Sequence, residues 1–158
     1  MIGILLLSTA GCDQLTKKVA QAELVSTRPI SLLNNLIRLE YAENRGAFLS
    51  IGERLPSPIL LLFSSLLAGA AIFILVRLSL QNRDVKPSML VGLSLIAGGS
   101  MGNLIDRVLN AGAVVDFLNV GIGQIRTGIF NVADVAILIG VFVLILLMSK
   151  KPGHTDAA

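Results

Sequence analysis

Polar and apolar positions in this chain fall into long blocks. No charged residue occurs from Ile59 to Val76, nor from Ser88 to Ile105. As α-helix, at about 1.5 Å per residue, each run is roughly 27 Å long, close to the thickness of a hydrocarbon core. Val135 to Met148 is a shorter third run, which reaches a full span if Asp134 stands at one membrane boundary. Ile2 to Cys12 is apolar too, at a length as typical of a signal-peptide core as of a span. A first helix continuing to about Ala22 accommodates it. The pattern predicts four membrane helices, over about residues 2–22, 58–76, 88–106 and 131–149.

The segment between the first two spans, about residues 23–57, is mixed in character. Ile37-Arg38-Leu39-Glu40-Tyr41 alternates with the period of a half-exposed strand. Asn44-Arg45-Gly46 reads as a turn and Ala47-Phe48-Leu49 as a short apolar return, with Phe48 and Leu49 dipping toward lipid. Pro56 and Pro58 fit the first turn of the second span, where proline is tolerated. Gln81 to Pro87 is a short charged loop. Asn110 to Gly128 shows no sustained alternation, only an apolar patch of Val114, Val115, Phe117 and Leu118 around Asp116. The third span carries Gly92, Gly98, Gly99, Ser100 and Gly102, small residues that permit close helix contacts. Adjacent Gly98 and Gly99 exceed ordinary packing needs and predict a loosened helix or a ligand beside it. The expected fold is an all-α membrane protein. It forms one domain over residues 1–158, with a small β-rich insert between its first and second helices.

Composition agrees: 54% of residues are hydrophobic and 15% charged, against about 25% charged in an ordinary soluble domain. The single cysteine, Cys12, excludes an intrachain disulfide. Leu7-Ser8-Thr9-Ala10-Gly11-Cys12 has the look of a lipobox. Three further hydrophobic spans favour Cys12 as a buried residue of a first membrane helix. His154 lies in a polar tail without a Cys/His cluster, so no metal site is expected. The net charge of +3 is scattered, and no nucleic-acid patch is present. Counting Lys and Arg on alternate sides of four spans gives five with the termini and eight opposite, which by itself places the termini outside.

Ionisable groups within or bordering a bilayer are candidates for function. Asp13, Asp106, Asp116 and Asp134 qualify. Asp13 and Lys17 share a helix face, so an ion pair is the simplest reading. Asp106 adjoins Arg107 and reads as compensated by it, leaving Arg107 to anchor a loop or touch a substrate carbonyl. Asp116 and Asp134 have no base within four residues. Asp134 suits the first turn of the last helix with Asn131 as its N-cap, and Asp116 suits an ordinary loop acid. Glycines 121, 123 and 128 also allow the connection to fold back and join the two carboxyls. Two carboxyls sharing a site keep one proton between them, the arrangement of an aspartic peptidase. On residues alone two other classes stay open. One is a transporter relaying protons or cations through Asp13, Asp106 and Asp134, and the other a scaffold pairing through Gly98, Gly99 and Gly102.

Five strings taken in order resemble one family, the lipoprotein signal peptidases (signal peptidase II). They are Asp13-x-x-Thr16-Lys17, Asn44-Arg45-Gly46-Ala47-Phe48, Gly98-Gly99-x-x-Gly102-Asn103-x-x-Asp106-Arg107, Val115-Asp116-Phe117 and Phe130-Asn131-x-Ala133-Asp134. The resemblance implies Asp116 and Asp134 as catalytic aspartates. It implies Asn44, Asn103, Arg107 and Asn131 as substrate-binding residues, with Asp13, Lys17, Gly46 and Asp106 in support. It further implies a multi-pass enzyme of the bacterial inner membrane with both termini in the cytoplasm, against the charge count; a water-activating carboxyl pair requires no cofactor, and a pair supplied by one chain suits a monomer. The implied site faces the periplasm, and the implied partners are membrane lipid and a prolipoprotein bearing a diacylglyceryl-cysteine. Cleavage is implied on the amino side of that cysteine.

Overall fold

The computed structural model describes residues 2–46, 57–80 and 85–149. Four helices are present among them: α1 (Ile2–Leu24), α2 (Ser57–Leu80), α3 (Pro87–Leu109) and α4 (Val132–Ser149). Four strands lie between them: β1 (Ile30–Leu32) and β2 (Ile37–Asn44) after α1, and β3 (Val114–Ile122) and β4 (Ile125–Arg126) after α3. The expected return at Ala47-Phe48-Leu49 falls outside the described residues, as does most of the charged loop after α2.

Three of the helices are long and apolar enough to cross a membrane: Pro58–Leu78, Pro87–Leu109 and Val132–Ser149. α1 is as long as α3, but Asp13, Gln14, Lys17 and Lys18 interrupt its apolar character. Its buried residues, Ala10, Asp13, Lys17, Ala20 and Leu24, recur every three or four positions and form one stripe. Cys12 lies off that stripe and is exposed, which corrects its expected burial.

α3 is the centre of the bundle and packs against α1, α2 and α4. Burial reaches 44% of its most apolar window, against 22% for α2 and for α4, whose outward faces present Leu62, Leu66, Phe142 and Ile145. The expectation of a loosened helix at Gly98-Gly99 is not met: α3 runs unbroken. A Cβ on Gly98 would stand 2.8 Å from Leu6 O of α1, and one on Gly99 would stand 2.5 Å from Ala133 O of α4. Adjacent positions on a helix face different directions, so two neighbours packed at once require two glycines.

The sheet differs from expectation in its origin. Its order is β1-β2-β3-β4 and it is antiparallel throughout, so half of it comes from the connection between α3 and α4. β2 runs against β3 from Ile37↔Val120 to Asn44↔Val114, with an irregularity between Leu39 and Ala42. One face rests on α1, where Phe117 packs with Ala20 and Leu24. Leu33, Asn34 and Asn35 take positive φ in the tight link between β1 and β2. The Asn35 Oδ1 there accepts from Ser31 and Arg38.

Candidate active site

Two buried acidic clusters meet where α1, α3, α4 and the sheet converge. The first is built on Lys17, whose side chain is 3% exposed. Its ammonium lies 2.7 Å from Asp13 Oδ2 and 2.9 Å from Asp106 Oδ2, and it donates to Asn103 Oδ1 at 3.0 Å. The expected Asp13–Lys17 pair is therefore present. Asp106 finds its counter-charge in Lys17 of a different helix and not in adjacent Arg107. Successive helical residues point about 100° apart, which sends Arg107 elsewhere. The remaining capacity of these carboxylates holds backbone: Asp13 Oδ1 accepts from Ala133 N at 2.8 Å, and Asp106 Oδ2 from Val115 N at 2.9 Å. Gln14 Nε2 also donates to Asp106 Oδ1. The cluster thus fixes the amino end of α4 and the start of β3, the two segments that carry Asp134 and Asp116.

Those two carboxyls form the second cluster. Asp116 is 1% exposed and stands in β3, so it is no ordinary loop acid. Its Oδ2 accepts from Asn44 Nδ2 at 2.9 Å and its Oδ1 from Asn131 Nδ2 at 2.6 Å. Asp134 occupies the first turn of α4, as expected of a helix start. Its N–H donates to Asn131 Oδ1 at 2.9 Å, and its Oδ2 accepts from Asn131 N at 3.3 Å. This is the reciprocal arrangement of a capping box. Its other oxygen, Oδ1, accepts from Asn103 Nδ2 at 2.9 Å. Asn131, completely buried, therefore holds both carboxyls.

Asn44 and Arg107 are placed by the turn after β2. Gly46 N donates to Asn44 Oδ1 at 2.8 Å, which turns the Asn44 amide toward Asp116. Arg107 Nη2 donates to Gly46 O at 2.8 Å, and the same guanidinium reaches Gly112 O and Ser64 Oγ. Arg107 thus anchors a loop. Among the described residues no cation pairs directly with Asp116: burial pushes its carboxyl up to about 7, the Asp134 charge adds to that, and the Asn44 and Asn131 amides and the more distant Lys17 charge oppose it. No group of three or more His, Cys, Asp or Glu residues arranged to hold a metal occurs among the described residues.

A cavity of about 240 Å³ opens beside Asp134. α2 contributes Phe63, Ser64 and Leu67, α3 contributes Ser100, Asn103 and Arg107, and α4 contributes Ile137, Leu138 and Val141. None of the apolar lining was legible from the sequence, since in a membrane helix the inward and outward faces are equally apolar. Ser64, a polar residue inside the apolar run of α2, was the available signal.

A family model described as Signal peptidase (SPase) II matches residues 5–150. The lipoprotein signal peptidase of Chlorobium phaeobacteroides is 39% identical over 147 residues, covering 87% of this chain and 89% of that one. That of Syntrophus aciditrophicus is 37% identical over 155 residues, 94% of each. A solved structure described as a bacterial membrane enzyme, determined by the in meso method at 2.3 Å resolution, superposes with a TM-score of 0.81 at 25% identity, over 99% of this chain and 94% of that one. On this combination of extent and identity, the chain belongs to the signal peptidase II family, the aspartic peptidases of lipoprotein processing.

Proposed function

We propose that this chain removes signal peptides from prolipoproteins carrying a diacylglyceryl-modified cysteine, and that Asp116 and Asp134 are its catalytic pair. The observation that carries the reading is the convergence of the two carboxyls on Asn131, with amide donors around them and Asp134 lining an apolar cavity. Two carboxyls so placed share one proton. Asp116, with its carboxyl raised to about 7, is the member that holds it. The charge then rests on Asp134, at the positive end of the α4 dipole. Asp134 takes a proton from water, and the water attacks the peptide carbonyl on the amino side of the lipidated cysteine. Asp116 gives its proton to that carbonyl oxygen; as the C–N bond breaks, Asp134 passes its proton to the leaving amine and the gem-diol returns one to Asp116. Asn44, Asn103 and Asn131 keep the carboxyls oriented, and Arg107 secures the turn beside them.

In this reading α1 is the fourth span, because its polar stripe is satisfied internally and its other faces meet lipid. Both termini lie in the cytoplasm of a bacterial inner-membrane protein, and the site lies at the periplasmic boundary, within reach of water and of a lipidated substrate moving laterally. The enzyme acts as a monomer, since both aspartates belong to one chain. The test is cleavage of a diacylglyceryl-modified prolipoprotein by purified protein, wild type beside Asp116→Asn and Asp134→Asn. Each substitution is expected to lower turnover about 10³-fold or more with the fold retained. Turnover in either variant within tenfold of wild type would remove the pair from catalysis.

A further inference from the structure

Polar side chains lining the cavity are already engaged, with one exception. Ser64 Oγ donates to Leu60 O and accepts from Arg107 Nε. Asn103 serves Lys17, Asn131 and Asp134, and Arg107 has three partners. Ser100 is 4% exposed, lines the cavity, and its Oγ has no hydrogen-bond partner. Helical serines and threonines ordinarily satisfy themselves on the carbonyl four residues back. Ser8, Thr9, Thr16, Ser64, Ser65 and Ser94 all do so here. Ser100 does not, although a buried hydroxyl without a partner is unfavourable.

We propose that the Ser100 hydroxyl is a substrate-positioning group that donates a hydrogen bond to a backbone carbonyl of the signal-peptide segment bound in this cavity. The inference rests on the peptidase reading above and adds a residue to it. An apolar segment entering an apolar cavity brings only backbone as polar surface, and each amide leaving water needs a partner. Ser100 precedes Asn103 by three positions on one face of α3, about 4.5 Å along the axis and farther from the sheet. An extended chain advances about 3.3 Å per residue. The carbonyl served therefore lies one or two residues from the scissile bond, on the side that continues into the membrane. Asn103, bonded to Asp134, holds the other end of this register.

The experiment is steady-state cleavage of a diacylglyceryl-modified prolipoprotein by full-length wild type, Ser100→Ala and Ser100→Cys, with thermal unfolding of each. Loss of one net hydrogen bond raises KM about five- to tenfold in Ser100→Ala, with kcat within twofold. The cysteine variant, a weak donor, falls between. Ser100→Ala melts at or above the wild-type temperature, because the resting protein loses an unsatisfied hydroxyl and no contact. A merely structural serine would lower stability and leave KM alone. Cleavage by wild type with KM unchanged in Ser100→Ala overturns the assignment of Ser100 only. No cleavage by folded wild type overturns the peptidase reading itself, and this inference with it.

Discussion

The two acidic clusters are neighbours, equally buried and built from the same residue type, yet they are arranged to opposite ends. Asp13 and Asp106 share one lysine ammonium and spend their other lone pairs on backbone N–H groups. Asp116 and Asp134 have amides in place of a cation. A paired, charge-balanced carboxylate is a rigid fixture. A carboxyl held only by neutral donors keeps access to both protonation states. The difference distinguishes the two clusters more sharply than depth of burial does.

Removing the cation should break this contrast most severely. Lys17→Met leaves Asp13 and Asp106 facing each other without compensation, and stripping one partner from a buried pair costs about 3–5 kcal/mol. The variant is expected to unfold far below wild type in a detergent melt. By comparison, Asp116→Asn should melt within a few degrees of wild type. A Lys17→Met protein as stable as wild type would mean that the first cluster does not hold the fold.

The two clusters touch through Asn103, which accepts from Lys17 and donates to Asp134. Asn103→Ala should lower cleavage about 10- to 100-fold, the worth of a hydrogen bond to a charged group, with a smaller loss of stability than Lys17→Met. Equal losses in both would place Asn103 with the scaffold.

The smallest effect expected, within one unit of the midpoint, is in pH. An unfolded aspartate releases its proton near 3.8, whereas Asp116 in the fold keeps it to about 7. Its contribution to stability is thus complete below 3.8 and is lost as pH rises toward 7. Cleavage that needs the shared proton falls above pH about 7, approaching tenfold per unit. A rate profile flat from pH 7 to 9 would place the proton elsewhere.

Much of this was legible in the residues, and what was hidden has a physical reason. Charge-free runs marked α2, α3 and α4, and alternation marked β2, whose residues from Ile37 to Ala42 are all half-buried. β3 escaped notice because Val114 to Phe117 are buried without a break. A strand covered on both faces loses the period of two. Spacing revealed the Asp13–Lys17 pair, which lies within one helix. The Lys17–Asp106 contact joins two helices, and no local pattern encodes it. The cavity was hidden because lipid and protein interior favour the same side chains. In contrast, Asp134 could be read as a helix start from Asn131 alone, and it is one while also lining the cavity.

The placement of Asn131 carries a consequence for biogenesis. A ribosome delivers this chain from α1 onward, so the sheet segments and Asp116 emerge before the residue that holds both carboxyls. Until Asn131 and the first turn of α4 have been made and docked on α3, the two carboxyls are not held together. With Asp116 and Asp134 as the catalytic pair proposed above, hydrolytic competence would arrive only with the last helix.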